Sequence, residues 1–394
     1  MKLKILIIAT EPSGDKLGAN LIDGLNSELK GKGQLVFQGI GGPLMRSRGV
    51  TTLFNFNELS VMGFFEIIPK LPKILSVINR MVKYALVWKP DLIITIDSPD
   101  FSLRIAKKIK QKWPTVKTIH YVAPSVWAWR GYRARTMGKF LDHVLAILPF
   151  EPPFMEAAGM SCDFVGHPIV SEDIPSNQEI RLFRSSLGIE RETPIVSILP
   201  GSRRTEIVKM MPIYLKSLES VAKKFPNLVF IIASPPNVCE LVKSYLKFSN
   251  VPVIQLYEKD DPIKFEERKR MLFSTSLAAL ATSGTITLEI ARMGAPLLVG
   301  YRASFMTEIL LKNFVKLKSA TLINILTNQA AIPELLFSKC NYQNIATSLI
   351  YLLTDSTQAD RQRDYVKFAM NALGANDLDP KIRAARSILR FLDK

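Results

Sequence analysis

The chain has 394 residues, of which 47% are hydrophobic, and carries a formal net charge of +17 at pH 7. This length favours two domains over one, and the apolar content is too high for a disordered chain. No run of about 18 apolar residues occurs, so no segment is expected to span a bilayer as a helix. Three scattered cysteines form no metal-type pair and are typical of reduced thiols in a cytosolic protein.

The positive charge is distributed unevenly. Residues 61–140 carry 15 lysines and arginines against four acidic residues. Such a surface suits nucleic acid, an anionic membrane or a phosphorylated substrate, and it also suits an ordinary solvated basic face. Charge alone does not choose among these possibilities.

In the first half of the chain, short apolar runs alternate with amphipathic segments. The predicted strands lie at 3–9, 35–39, 91–96, 118–122 and 144–148, and the predicted helices at 17–29 and 103–111. The apolar run at the N-terminus is too short for a signal peptide, and Glu11 follows it where a small residue would be needed. Strands that alternate with helices predict parallel β/α/β units with helices on both faces of a sheet.

The same pattern restarts after a polar, linker-like stretch at 171–178. Here the predicted strands lie at 195–199, 228–233, 253–256, 277–281 and 296–300, with helices from about 206 and at 287–293. The predicted fold class is α/β, with two doubly wound, Rossmann-like domains facing each other across a cleft. Their predicted bounds are 1–172 and 173–353. A helical tail is predicted at 354–394. The sequence leaves open whether this tail packs back on the N-terminal domain.

The first strand leads into Ser13, Gly14 and Asp15, where a strand feeds a helix. Backbone N–H groups at such a junction are placed to meet an anion or a sugar hydroxyl. Capping of the helix by Ser13 or Asp15 is an equally good explanation, and both can hold. The junction lacks the glycine spacing of dinucleotide-binding folds and the lysine of a Walker motif, which disfavours both functions.

Asp97 directly follows the apolar run at 91–96, at the predicted carboxyl end of a buried strand. Partial burial there raises the pKa of a carboxylate and makes it a better base for a sugar hydroxyl. A purely structural turn is the alternative. Asp100 is predicted to cap the following helix.

A proline, two tryptophans and an arginine crowd the end of the strand at 118–122, where open α/β sheets keep their ligands. His167, in a Gly-His-Pro sequence, is also a candidate for substrate contact, although structural histidines are commoner. His143 is predicted to be structural. The candidates for the acceptor site are His120, Trp127, Trp129, Arg130 and His167.

In the second half, two junctions between a strand and a helix favour phosphate binding. Arg203 follows a Gly-Ser turn, and a guanidinium there is suited to grip a phosphate with two parallel hydrogen bonds. Ser283, Gly284 and Thr285 lie between an apolar strand and a helix start that suits a pyrophosphate, and Glu289 is placed to accept from a ribose diol. Capping by Thr285 with electrostatic support from Glu289 is the weaker alternative.

The segment at 61–86 is apolar and basic, with its apolar residues at helical spacing. This pattern suits an anionic membrane surface, and an ordinary core-facing helix is the alternative. The predicted membrane contacts are Ile67, Ile68, Lys70, Leu71, Lys73 and Leu75. No acidic metal-binding pair ends a strand, so no metal is expected.

Ordered motifs along most of the chain resemble those of one bacterial glycosyltransferase family, the lipid-A-disaccharide synthases. The first of them are E-P-S-G-D-x-L-G-A from residue 11, G-I-G-G-P-L-M at 39–45, V-M-G-F-F-E at 61–66, I-D-S-P-D-F at 96–101 and H-Y-V-A-P-S-V-W-A-W-R at 120–130. The others are L-P-F-E-P at 148–152, V-G-H-P at 165–168, L-P-G-S-R at 199–203, S-G-T-x-T-L-E at 283–289, G-Y-R at 300–302 and P-E-L-L at 333–336.

The resemblance implies a GT-B-like, metal-independent glycosyltransferase with no cofactor, peripheral on the cytoplasmic face of the Gram-negative inner membrane. Its substrates would be UDP-2,3-diacylglucosamine and 2,3-diacylglucosamine 1-phosphate, joined with inversion and release of UDP. The resemblance further implies Asp97 as the general base on the acceptor 6-hydroxyl. The implied contacts of UDP are Arg203, Ser283, Gly284, Thr285, Glu289 and Asn324.

Two positions depart from the pattern of that family. Ala123 stands where serine is usual, and Ile323 precedes Asn324 where proline is usual. Another GT-B transferase or a UDP-sugar 2-epimerase remains an alternative, which the 61–86 segment disfavours. A basic nucleic-acid-binding protein is the other alternative, but the basic residues are not interleaved with aromatic stacking positions, so no nucleic acid partner is expected. The sequence leaves the oligomeric state open.

Overall fold

The computed structural model describes residues 2–29, 31, 33–54, 71–128, 131–258, 261–302, 308 and 319–393. The chain folds into two compact units, one of Met1–Ser171 with Leu373–Lys394 and the other of Glu172–Ala372. Each unit contains one parallel β-sheet flanked by helices. The prediction of an α/β fold with two doubly wound sheets and a helical C-terminal tail is therefore confirmed.

The first unit contains a seven-stranded sheet with the strand order β3-β2-β1-β4-β5-β6-β7. Its strands are β1 Lys2–Ile8, β2 Gln34–Ile40, β3 Thr51–Thr52, β4 Leu92–Ile96, β5 Lys117–Tyr121, β6 His143–Ala146 and β7 Ser161–Phe164. Successive side chains of a strand point to opposite faces. Along β1, Ile5 and Ile7 accordingly join one apolar core, while Leu6 and Ile8 join the other.

Helices cover both faces of this sheet because its central strands are apolar on both sides. They are α1 Pro12–Leu29, α2 Pro43–Ser47, α3 Leu71–Trp88, α4 Pro99–Lys112, α5 Tyr132–Met137 and α6 Pro152–Glu156, followed by a 3₁₀ turn at Pro168–Ser171. Helix α1 begins five residues earlier than predicted, because Pro12 is well suited to a first helical turn. Ser13, Gly14 and Asp15 therefore lie inside that turn.

The second unit contains a six-stranded sheet with the order β10-β9-β8-β11-β12-β13. Its strands are β8 Ile195–Leu199, β9 Val229–Ala233, β10 Val253–Leu256, β11 Ala278–Thr282, β12 Leu297–Tyr301 and β13 Glu334–Leu336. Its helices are α7 Asn177–Ser186, α8 Arg204–Lys224, α9 Cys239–Leu246, α10 Pro262–Thr275, α11 Ile286–Arg292, α12 Leu322–Thr327, α13 Tyr342–Thr354 and α14 Ser356–Ala372. The sequence pattern missed β13 because only three residues form it.

The last helix, α15 Pro380–Leu392, packs against α1 in the first unit. The two backbones approach so closely that a Cβ at Gly24 would lie 2.3 Å from the Lys381 carbonyl oxygen, so only glycine fits there. His143 joins the same packing, since its ring nitrogens bond the hydroxyls of Ser161 and Ser387, both at 2.8 Å. The prediction of a structural role for His143 agrees with these contacts.

Helix α3 is the described part of the basic amphipathic segment. Its second half faces the core, where Ile78 and Val82 are buried against the sheet, while Lys73 and Leu75 are exposed in the first two turns. Ile67, Ile68 and Lys70 lie outside the described residues, as does the side chain of Leu71. No helix within the described ranges is both long and apolar enough to cross a membrane.

Candidate functional site

Both sheets contain a topological switch point, where the chain changes the direction in which it adds strands. It lies between β1 and β4 in the first sheet and between β8 and β11 in the second. The loops after two such neighbouring strands leave towards opposite faces and open a crevice at the carboxyl ends. Ser13 and Asp97 follow β1 and β4, and Arg203 and Ser283 follow β8 and β11. These four of the residues predicted from sequence thus fall at the two switch points.

Asp97 lies on a strained backbone immediately after β4. Asp97, Ser98 and Val122 have positive φ angles of 50°, 44° and 77°, a region that residues other than glycine rarely adopt. Backbone hydrogen bonds that continue past the strand ends hold this conformation. In one of them, the Asp97 nitrogen lies 3.0 Å from the Tyr121 carbonyl oxygen. Such strain costs on the order of 1–3 kcal/mol per residue and concentrates at functional sites.

The carboxyl group of Asp97 is half-buried and lies near a second acid, Glu11. One of its oxygens accepts from the Ser98 N–H at 2.8 Å, and the Ser98 hydroxyl donates to Glu11 Oε1 at 2.8 Å. Burial raises the pKa of Asp97, and the negative charge of Glu11 raises it further, while the Ser98 hydrogen bond opposes the rise. Sequence reasoning gave Glu11 no role, although it stands after β1 as Asp97 stands after β4.

We expect Glu11→Gln to shift the acidic limb of the kcat/KM profile to lower pH. Removal of the Glu11 charge lowers the pKa of Asp97, so this carboxylate, the base predicted from sequence, stays deprotonated at a lower pH. The measurement is kcat/KM against pH for the wild type and the variant. An acidic limb that stays in place or moves upward would contradict the coupling between these two carboxyl groups.

Asp15 is buried and bonds to the loop that starts α2. Its Oδ1 accepts from the N–H groups of Gly42 at 2.8 Å and Met45 at 3.0 Å, and its Oδ2 accepts from Leu44 at 2.9 Å. These three bonds satisfy backbone donors at the start of α2. Ser13, in the same first turn of α1, is exposed, so its hydroxyl faces solvent.

The two candidate histidines are both neutral at physiological pH. His120 is fully buried within β5, where its Nδ1 lies 2.8 Å from the Thr95 hydroxyl, and burial lowers its pKa to about 4. Burial also lowers the pKa of His167 to about 4, and its Nδ1 accepts from the Ile169 N–H at 3.1 Å. Neither ring therefore contributes a positive charge towards a phosphate, and their contact with the acceptor stays a prediction.

Trp127 is fixed by a buried acid that sequence reasoning did not assign. Its indole N–H donates to Glu151 Oε1 at 3.3 Å. Its ring packs edge-on against Phe150, with 4.9 Å between the ring centroids. Glu151 also accepts from the Leu148 N–H at 3.0 Å, and burial raises its pKa to about 7. The available signal was its position, a carboxylate in the loop that follows the apolar strand β6. Trp129 and Arg130 lie outside the described residues.

The guanidinium of Arg203 is exposed after β8. The side chain has 69% exposure and one loose ion pair, with 3.7 Å between its Nη1 and Glu206 Oε1. The other oxygen of Glu206 accepts from the N–H groups of Ser202 at 2.9 Å and Arg203 at 3.2 Å. These two backbone donors are thus occupied, and the exposed guanidinium of Arg203 is available to a phosphate.

The turn after β11 leaves Gly284 and Thr285 exposed at the start of α11. Thr285 occupies the N-cap position without a hydrogen bond from its side chain to the helix, which weakens the capping alternative. The Ser283 hydroxyl donates to the Ala320 carbonyl at 3.2 Å. Glu289, one turn into the helix, is one-third exposed and ion-paired with Lys269 at 2.8 Å.

Asn324 and Glu334 hold together the loop that contacts Ser283. The Asn324 amide bonds both the N–H and the carbonyl of Ile332, at 2.8 and 2.9 Å, and also Glu334 at 3.0 Å. Glu334 accepts from the backbone N–H groups of Ala320 and Thr321, at 3.0 and 2.8 Å, and from the Thr321 hydroxyl at 2.7 Å. The side chain of Asn324 is thus committed to the loop, and its proximity to a nucleotide stays a prediction.

Comparison with known proteins supports one family over the whole chain. The profile of the family described as lipid-A-disaccharide synthetase matches residues 5–386. A lipid-A-disaccharide synthase of Rhodospirillum centenum is 37% identical, with 100% of this chain and 95% of the relative covered. Another, from Ruegeria pomeroyi, is 38% identical, with 98% and 95% covered.

Solved structures with a similar fold include enzymes of UDP-sugars. A UDP-GlcNAc 2-epimerase from Neisseria meningitidis bound to UDP-GlcNAc has a TM-score of 0.64 at 13% identity, with 100% of this chain and 99% of that chain covered. A putative UDP-N-acetylglucosamine 2-epimerase from Listeria monocytogenes has a TM-score of 0.61 at 15% identity, with 100% and 96% covered. At this identity the likeness establishes the GT-B type of fold alone. The full-length sequence matches establish more: this chain belongs to the lipid-A-disaccharide synthase family.

Proposed function

We propose that this chain is an inverting glycosyltransferase that joins UDP-2,3-diacylglucosamine to 2,3-diacylglucosamine 1-phosphate and releases UDP. The observation that carries the proposal is family membership over the full length, with the predicted base and the predicted phosphate ligands each at a switch point. The relatives are lipid-A-disaccharide synthases, which supports the lipid A disaccharide as the product.

In this reaction Asp97 acts as the general base. It accepts the proton of the acceptor hydroxyl as that oxygen attacks the anomeric carbon of the donor sugar. A half-buried carboxylate of raised pKa suits this step, because a stronger base takes the proton more readily. The strained backbone fixes the direction of the carboxyl group before the acceptor binds.

The second unit holds the donor and its leaving group. As the bond from the anomeric carbon to the diphosphate breaks, negative charge builds up on UDP. The exposed guanidinium of Arg203 and the exposed turn of Ser283, Gly284 and Thr285 offset this charge. Glu289 accepts the hydrogen bonds of the ribose diol.

The test is incubation of the purified protein with both acylated glucosamine substrates, followed by mass spectrometry. We expect a disaccharide monophosphate and a stoichiometric amount of UDP. If the protein instead interconverted a UDP-sugar with its 2-epimer and formed no disaccharide, the proposal would be wrong. Omission of either substrate is the control, since neither alone yields the disaccharide.

We further propose that the protein acts on the cytoplasmic face of the inner membrane, in contact with anionic lipid. The acyl chains of the substrates lie in that membrane, and the segment at 61–86 supplies basic and apolar residues, of which Lys73 and Leu75 are exposed. We expect the protein to float with vesicles that contain an anionic phospholipid and to release as salt rises. Equal recovery with neutral vesicles would contradict an electrostatic contribution.

A further inference from the structure

A buried lysine, Lys269, lies between two carboxylates in the second unit. It projects from α10, and only 10% of its side chain is exposed. Its Nζ lies 2.8 Å from Oε2 of Glu289 on α11 and 2.6 Å from Oε2 of Glu266 on its own helix. The side chain of Glu289 is 32% exposed, so this acid is in contact with both the lysine and solvent.

The two acids keep the buried ammonium charged. Burial alone would lower the pKa of Lys269, but the negative charges of Glu289 and Glu266 outweigh burial and raise it above the ordinary value. A buried ammonium is costly unless it is paired and hydrogen-bonded, and here it has two carboxylates for its three donors. Lys269 is therefore a permanent cationic partner of Glu289.

This pairing restricts the carboxyl group of Glu289. An unpaired glutamate on a helix surface samples several rotamers, and to order it at the moment of binding costs conformational entropy. Here Oε2 is held by the lysine, which leaves Oε1 to accept from a ligand.

We propose that Lys269 is a positioning residue for nucleotide binding, which orients Glu289 so that its carboxylate receives the ribose hydroxyls. This inference rests on the proposed UDP site and adds to it a residue that does not itself touch the nucleotide. Its effect is confined to the ribose diol, which distinguishes it from a residue that only stabilises the fold.

The test compares UDP with 2′,3′-dideoxy-UDP, which lacks the diol, by calorimetric titration. We expect the wild type to bind UDP roughly tenfold more tightly than the dideoxy nucleotide, because the difference is a pair of hydrogen bonds to a charged group. Both Lys269→Met and Glu289→Gln should abolish this preference while the Kd for 2′,3′-dideoxy-UDP changes by less than about twofold. Lys269→Gln serves as a second variant with the same expectation if the methionine variant does not fold.

Glu266→Gln is the matched control, since it removes the other partner of Lys269 and should retain the preference for UDP. If Lys269→Met and Lys269→Gln keep the preference while Glu289→Gln loses it, the positioning role is wrong and the ribose contact stands. If the lysine variants weaken both nucleotides equally, the role is structural and the inference is overturned. A wild type that shows no diol dependence, or a Glu289→Gln variant that keeps the wild-type preference, would instead refute the ribose contact in the proposed function.

Discussion

Asp97→Asn should reduce kcat by about 10²–10⁴-fold, the usual contribution of a general base. The amide has nearly the shape of the carboxylate and does not take up the acceptor proton. The residue follows β4 in the first unit, whereas the predicted UDP ligands belong to the second. The Kd for UDP is therefore expected to stay within about twofold of the wild-type value. Steady-state turnover and calorimetry with UDP measure the two quantities.

Asp100→Asn is the control for this experiment, because it removes a carboxylate three residues further along the same loop and helix. Asp100 has 77% side-chain exposure and pairs with Arg133 at the surface. A surface ion pair of this kind contributes little to the free energy of unfolding, so kcat should remain within about twofold of the wild-type value. Turnover by Asp97→Asn at the wild-type rate would remove Asp97 from the mechanism and leave its strained backbone without a catalytic explanation.

Arg203→Ala is the second substitution with a large expected effect, a decrease of kcat by about 10²–10³-fold. The leaving diphosphate gains negative charge in the transition state, and the exposed guanidinium of Arg203 lies in the turn after β8, at the switch point. The side chain makes only a loose ion pair, so the thermal unfolding midpoint should not change. The measurements are kcat, KM for the UDP-sugar and the unfolding midpoint.

Arg204→Ala provides the matched control, since Arg204 is the adjacent exposed arginine and begins α8. The two variants remove the same charge from the same surface, so long-range electrostatics affects both about equally. A specific phosphate contact predicts a large loss of kcat for Arg203→Ala alone. Equal and small losses in both variants would reduce the role of Arg203 to the general positive potential of the protein.

The sequence predicted the architecture because parallel β/α/β units have a strong local pattern. The strands at 91–96 and 195–199 are short, mainly apolar runs, and the polar stretch that follows each one indicates a strand end. Strand ends at a switch point are where ligands bind, so Asp97 and Arg203 follow from chain position alone. Neither position depends on knowing which residues are in contact.

The contacts that organise the site were not predictable in this way. Asp15 bonds backbone N–H groups of residues 42–45, and Lys269 reaches Glu289 from a different helix. Both depend on how separate helices dock, which periodicity does not encode. Glu334 is similar, because its strand of three residues is too short to produce a pattern, yet it collects the donors of the loop beside Ser283.

The position of α15 has a consequence for how the protein is made. Ala384 and Ile388 of this helix complete the core around Ile22 of α1, although the entire second unit is encoded between them. While the ribosome synthesises the chain, the first unit emerges early but lacks this helix until Pro380–Leu392 leave the exit tunnel. An apolar face of the nascent first unit thus remains uncovered while the second unit is translated. Exposed apolar surface of this kind is what chaperones bind. A truncation before Pro380 would accordingly damage the unit that was synthesised first.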